Sequence, residues 1–226
     1  ATVTLFGMEY SWAIVISSLV LALLVGLVLV GGLRRIASVS ERVIPTMVII
    51  YVLFSVFMIG CNVTALPAAF ATIFQSAFGL QAAAGGMLGA IIIAMQKGIA
   101  RGIFSNEAGL GSAPIAAAAA RTNEPVRQGL ISMTGTFLDT IIVCSMTGLA
   151  IVMSGAYLTP RLEGAGVTIA AFQTGLPFVH SQIVSFIMMV CLALFGFTTI
   201  LGWDYYGERC LEYFSNGSKA AVKAYR

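Results

Sequence analysis

The chain has 226 residues, of which 59% are hydrophobic and only 9% charged, with a formal net charge of +3. Soluble domains carry roughly 25% charged residues, so this composition excludes an ordinary soluble enzyme and predicts an all-α polytopic membrane protein embedded in a lipid bilayer. The small positive charge does not point to nucleic acid, because the basic residues sit mostly in connections beside apolar segments.

The first apolar segment, 10–33, is nearly pure Val, Leu, Ile, Ala and Gly, with Tyr10 and Trp12 at its start. It is too long for the apolar core of a cleavable signal and has no basic region before it. Arg34, Arg35 and Arg42 then form a connection that reads as a cytoplasmic loop, since Lys and Arg favour that side. A second span, 44–61, opens with Pro45, a residue favoured at helix starts. Pro67 to Phe78 carries no charge and predicts a short interfacial helix on the outer side. Asn62-Val-Thr64 fits the glycosylation sequon, but so close to a span end it reads as incidental.

The third segment, 82–120, starts and ends as membrane sequence but is broken in the middle. Lys97 to Pro114 contains four glycines, a proline and the charges Lys97, Arg101 and Glu107. Charges and free backbone groups in hydrocarbon each cost several kcal/mol, so such a run survives only buried in protein or lining a cavity. It reads as a discontinuous helix, the device with which secondary transporters build midplane sites. Counting 82–120 as one broken span keeps Arg121 and Arg127 inside. It leaves only Arg161 outside, against Arg34, Arg35, Arg42, Arg121, Arg127, Arg209, Lys219, Lys223 and Arg226 inside. A fourth span, 129–154, contains Asp139. The connection 155–177 reads as an outer loop, and a fifth span, 179–206, continues as polar and aromatic turns towards Glu212. That last helix is too long for one crossing and is expected to emerge on the inner side. The odd number of spans and the abrupt start and stop suggest one part of a larger transporter domain.

Within the broken segment, Gly102, Phe104, Ser105 and Asn106 form the densest group of candidate ligand contacts. The carbonyl end of the first half-helix attracts a cation, and the N–H end of the second attracts a carboxylate. Gly102 and Gly109 permit close approach of backbone to a small ligand, and Phe104 offers a lid. The alternative is a kinked structural helix. Lys97, Arg101, Glu107 and Asp139 read as a gate or a structural network of ion pairs. A second group is Thr198, Thr199 and Trp203. Two hydroxyls suit a hard cation, and Thr199 and Trp203 share a helix face. The alternative for the threonines is bonding back to their own helix, and for Trp203 an inner aromatic belt. His180 reads as an interfacial residue. Cys61, Cys144, Cys191 and Cys210 are isolated and read as small buried hydrophobes. No nucleophile–base pair, phosphate loop or metal cluster is apparent, so neither enzyme activity nor a resident cofactor is expected.

Gly102-Ile-Phe-Ser-Asn-Glu-Ala-Gly-Leu-Gly-Ser-Ala-Pro-Ile115 resembles the most characteristic stretch of the alanine/glycine:cation symporters, the sodium:alanine symporter family. Gly31-Gly-Leu-Arg-Arg-Ile36, Phe137-Leu-Asp-Thr-Ile141 and Thr198-Thr-Ile-Leu-Gly-Trp-Asp-Tyr-Tyr-Gly-Glu-Arg-Cys210 agree with it. The resemblance implies a partial leucine-transporter-type fold of inverted repeats, with this chain covering roughly core helices four to eight. It implies alternating-access symport of a small neutral amino acid, alanine or glycine, with Na⁺ as coupling ion, in a multi-pass protein of a prokaryotic cell membrane. Substrate contacts would come from the broken helix together with Thr199 and Trp203, and a sodium site from Thr198 and Thr199. The first core helix and everything after the eighth would lie outside this chain, which alone is expected not to transport. Proton coupling in place of Na⁺ and a cation channel are the alternatives. A channel would need a polar stripe through several spans, and the first two have none.

Overall fold

Apolar runs in hydrocarbon must satisfy their backbone groups internally, and helices do so within one segment. The computed structural model describes residues 2–5, 8–78, 87–107, 110–160 and 162–225. Ala108, Gly109, Arg161, Arg226 and the expected start of the third span, 82–86, lie outside the described residues. A short antiparallel pair, β1 (Thr2–Leu5) and β2 (Met8–Ser11), precedes the helices. These are α1 (Trp12–Leu29), α2 (Gly32–Cys61), α3 (Leu66–Phe78), α4 (Met87–Asn106), α5 (Ala113–Ala117), α6 (Pro125–Ser154), α7 (Ala165–Gly175), α8 (Ser181–Phe214) and α9 (Lys219–Tyr225). Among the described residues, α2, α6 and α8 are long and apolar enough to cross a membrane.

Three expectations require correction. The basic stretch Arg34–Arg42 is helical rather than a loop, because the chain turns tightly at Val30–Gly31 and α2 starts at Gly32, whose φ is 66°. The turn is closed by Val30 N–H donating to Gly26 O and Gly31 N–H to Val28 O. Pro45 therefore lies inside α2, not at its start. It has no N–H to give to the preceding turn, and next to it Thr46 Oγ1 donates to the Arg42 carbonyl at 2.8 Å. The second half of the broken span is one five-residue helix, α5, rather than a helix reaching Ala120. Pro114 stands in its first turn, and Ala118 caps its end. The outer connection 155–177 is not a loop throughout. Gly155, at φ 69°, ends α6, and the eleven-residue α7 follows.

The chain divides into two compact units, 48–192 and 1–47 with 193–226. In the unit 48–192, α7 supplies the core. Thr168, Ala171, Phe172, Gly175 and Leu176 are all buried and fall at helical spacing on one face. Phe172 stacks on Phe54 with ring centroids 5.3 Å apart and tilts against Tyr51 at 6.1 Å. Met58 is fully buried and fills the space that Gly175 leaves open; a Cβ there would stand 2.1 Å from Met58 Cε. Polar clasps surround this apolar centre. Asn62 Nδ2 donates to Gly175 O at 2.6 Å, the Tyr51 and Thr147 hydroxyls lie 2.6 Å apart, and Gln173 Nε2 donates to Ser185 Oγ at 2.5 Å. His180 marks the start of α8, its carbonyl accepting from Ile183 and Val184.

In the other unit, Val28, Ile36, Phe197 and Leu201 form a small apolar cluster with Val25, Leu29 and Val39 packed against it. Further along α8, the buried Glu208 and the half-exposed Glu212 both pair with Arg209, whose guanidinium lies 5.4 Å over the Tyr205 ring. Removing Phe172 isolates the packing contribution, since lipid tails are as apolar as the core. Phe172→Ala is expected to lower stability by about 2–4 kcal/mol. Phe186→Ala, at a residue 65% exposed, is expected to change it by less than about 0.5 kcal/mol. Thermal unfolding in one detergent compares the two.

Candidate functional site

α4 runs through Lys97 and Arg101 to Asn106 and stops where Glu107 adopts φ 54°, a left-handed conformation uncommon for a residue with a side chain. Glu107 N–H reaches Phe104 O at 3.4 Å, tightening the last turn, and Gly111 takes φ 81° before α5. α4 thus ends at Asn106 and α5 starts at Ala113, within the Lys97–Pro114 stretch where the sequence places the interruption. Gly102, Phe104, Ser105 and Asn106 are the last helical turns before it. Gly102 stays inside α4, since an isolated glycine does not end a helix, whereas a positive φ such as that of Glu107 does. Across the break, Ser112, itself buried, donates Oγ–H to Glu107 Oε2 at 3.0 Å. That bond was invisible in the sequence.

The last turn of α4 is tied to α6 by two adjacent contacts, each joining residues 34 apart in the chain. Ser105 Oγ donates to Asp139 Oδ2 at 2.5 Å. Asn106 and Thr140 pair reciprocally: Nδ2 donates to Thr140 Oγ1 at 2.8 Å, and Thr140 Oγ1 donates to Asn106 Oδ1 at 3.1 Å. Asn106 Nδ2 also donates to Gly102 O at 3.2 Å. Asp139 and Thr140 stand on a π-helical stretch of α6, Phe137–Cys144. Such stretches widen the helix by one residue per turn and are frequent at functional sites. Thr140 is a site residue that the sequence reading passed over as a mere neighbour of Asp139. The available signal was the pair of consecutive polar residues in each apolar segment.

Asp139 thus takes its hydrogen bond from a hydroxyl, while Lys97 and Arg101 lie exposed on α4. Phe104 is 58% exposed, and a side chain at Gly102 would meet nothing within 4 Å. Thr198, Thr199 and Trp203 belong to the other compact unit, on α8. Thr198 Oγ1 donates to Leu194 O and Phe195 O at 3.1 and 3.0 Å, and Thr199 Oγ1 donates to Phe195 O at 2.8 Å. Both threonines bond back to their own helix. Their protons are spent there, and their oxygen lone pairs remain available as acceptors. Trp203 is 41% exposed and meets Tyr206 edge to face at 6.0 Å.

A helical membrane protein with a discontinuous helix, whose broken end gathers a carboxylate, two hydroxyls and an amide, has the makings of a transporter rather than of an enzyme. The chain matches the sodium:alanine symporter family over residues 1–226 and belongs to that family. It is 55% identical over 201 residues to an uncharacterized transporter of Haemophilus influenzae, covering 88% of this chain and 43% of that protein. It is 43% identical over 214 residues to the sodium/alanine symporter AgcS of Methanococcus maripaludis, covering 93% of this chain and 45% of that protein. It is 42% identical over 208 residues to the probable sodium/glutamine symporter GlnT of Bacillus subtilis, covering 92% and 42%. The chain therefore spans less than half the length of these relatives.

The reciprocal Asn106–Thr140 pair makes a direct prediction. Thr140→Val keeps the shape but removes both bonds, and is expected to cost about 0.6–2 kcal/mol, the range for interhelical hydrogen bonds in membranes and for polar groups left unpaired. Thr140→Ser is expected to recover most of it, as measured by thermal unfolding in detergent.

Proposed function

We propose that this chain forms part of a sodium-coupled symporter of a small neutral amino acid, a multi-pass protein of the cell membrane that works by alternating access on a leucine-transporter-type fold. The observation that carries this reading is the broken helix, with its carboxylate and hydroxyls at the carbonyl end of α4, in a chain of the sodium:alanine symporter family. Alanine is the first candidate substrate, because it is the amino acid named for AgcS and for a sodium/proton-dependent alanine carrier of Bacillus sp. that is 34% identical. The open position at Gly102 and the exposed ring of Phe104 suit a small apolar side chain.

The roles divide between the two groups of residues. In one unit, Gly102, Phe104, Ser105 and Asn106 are proposed amino-acid contacts; in the other, Thr199 and Trp203 are proposed amino-acid contacts, and Thr198 and Thr199 would offer hydroxyl oxygens to Na⁺. Hydroxyls whose protons are already donated to Leu194 O and Phe195 O turn lone pairs outward, which is what a hard cation requires. Na⁺ binding would then favour the state that holds the amino acid, and the pair would shift the balance between outward-open and inward-open forms. Lys97, Arg101 and Glu107 are assigned to gating or packing around the break. The helices implied before and after this chain would complete both sites.

Two second readings have a specific motive. The likeness to a probable sodium/glutamine symporter makes glutamine a rival substrate, and the sodium/proton-dependent relative makes H⁺ a rival coupling ion. Equilibrium binding of alanine and of glutamine to the full-length transporter, with Na⁺ and with choline at two pH values, separates them. Alanine binding that requires Na⁺ and weakens roughly tenfold or more in Thr199→Ala and Trp203→Ala is the expected result. Alanine binding that is indifferent to Na⁺ would refute the coupling, and binding of neither amino acid would refute the symporter reading.

A further inference from the structure

We propose that Asp139 is a positioning residue that fixes Ser105 as a hydrogen-bond acceptor for the ammonium group of the transported amino acid. This rests on the amino-acid reading above and assigns a polarity to its site. A serine hydroxyl has one proton and two lone pairs. The Ser105 proton is given to Asp139 Oδ2 at 2.5 Å, a short bond of the charge-assisted kind. With that proton committed, Ser105 can only accept from any third group. A carboxylate, which only accepts, gains nothing there; an ammonium, which only donates, does.

The surroundings have the same polarity. Ser105 lies one residue before the last of α4, where the helix dipole places negative partial charge. The Asn106 amide is consumed by Thr140 and Gly102 O, so it does not compete as a donor. Cys144 lies five residues beyond Asp139 at the end of the same π-helical stretch. Arg101 lies one turn before Ser105 on α4 but is exposed, and one carboxylate oxygen of Asp139, Oδ2, accepts from the serine. The π-helical stretch holds consecutive residues 139 and 140 against consecutive residues 105 and 106. Ser105 is itself exposed, so its lone pairs are accessible.

The test is a double-mutant cycle on alanine affinity in the full-length transporter at saturating Na⁺, with Ser105→Ala, Asp139→Asn and the double variant. Each single change is expected to weaken alanine binding roughly 10- to 100-fold, the range for losing a hydrogen bond to a charged group. The double variant is expected to be within about twofold of Ser105→Ala, because Asp139 acts only through the serine. In a Ser105→Thr background, which restores the hydroxyl, Asp139→Asn is expected to matter again. If Asp139→Asn does not assemble, Asp139→Glu, which keeps the charge but moves the acceptor, takes its place in the cycle. Independent, multiplying losses would mean a structural role and overturn the proposal. So would unchanged alanine affinity with an altered Na⁺ requirement, which would assign Asp139 to the ion. Failure of the unmodified transporter to bind alanine would overturn the symporter reading and this proposal together; intact binding with a failed cycle would overturn this one alone.

Discussion

A helix that stops in apolar surroundings exposes carbonyls and partial negative charge that something must answer. In this protein α4 stops at Asn106, whose own amide caps the Gly102 carbonyl, and the same end is held to α6 by two side-chain ties, Ser105 to Asp139 and Asn106 to Thr140. The rest of the unit 48–192 can be understood from this constraint. The π-helical stretch of α6 has its two polar residues where the broken end requires them. Glu107 accepts a left-handed backbone, which costs roughly 1–2 kcal/mol, and its carboxylate is caught by Ser112 on the far side of the break. A strained, polar, non-helical segment persists because several bonds determine it together.

The core of the same unit lies elsewhere, on α7. Its buried face packs Phe172 against Tyr51 and Phe54, and its end is clasped by Asn62. These contacts are apolar with polar edges, the reverse of the broken end, where polar groups meet at exposed or half-buried positions. The residues that pack this core are therefore not those proposed to meet a ligand. A substitution at Phe172 should act on folding, and one at Ser105 or Asp139 on what the protein binds.

Much of this was legible in the sequence, for reasons that also explain what was not. The spans ending at Cys61 and Ser154 and the short helix from Pro67 are long apolar or amphipathic runs with clear punctuation, and they are where the sequence places them. The helix α7 was read as loop because Gly155, Gly164 and Pro177 outweighed the recurrence of apolar residues at 168, 171, 172, 175 and 176. The connection at Arg34–Arg42 was misread because Pro45 marks a helix start by propensity, yet a helix already begun can carry it. The interruption falls inside the Lys97–Pro114 stretch that the sequence marks, but its exact start at Glu107 is not legible there, since no propensity scale selects glutamate for a positive φ. The ties 105–139 and 106–140 are tertiary facts. Periodicity shows which face a residue occupies, not which helix comes to meet it.

In the proposed symporter, the segment around the break faces a space that water and substrate reach. This is tested most directly by thiol accessibility. In the full-length transporter with Cys61, Cys144, Cys191 and Cys210 replaced, Leu110→Cys is introduced at a position 45% exposed and treated with a membrane-impermeant methanethiosulfonate. The account predicts that the cysteine is labelled and that alanine with Na⁺ slows labelling, while either alone does so less. A cysteine that is never labelled, or whose labelling ignores alanine and Na⁺, would contradict it.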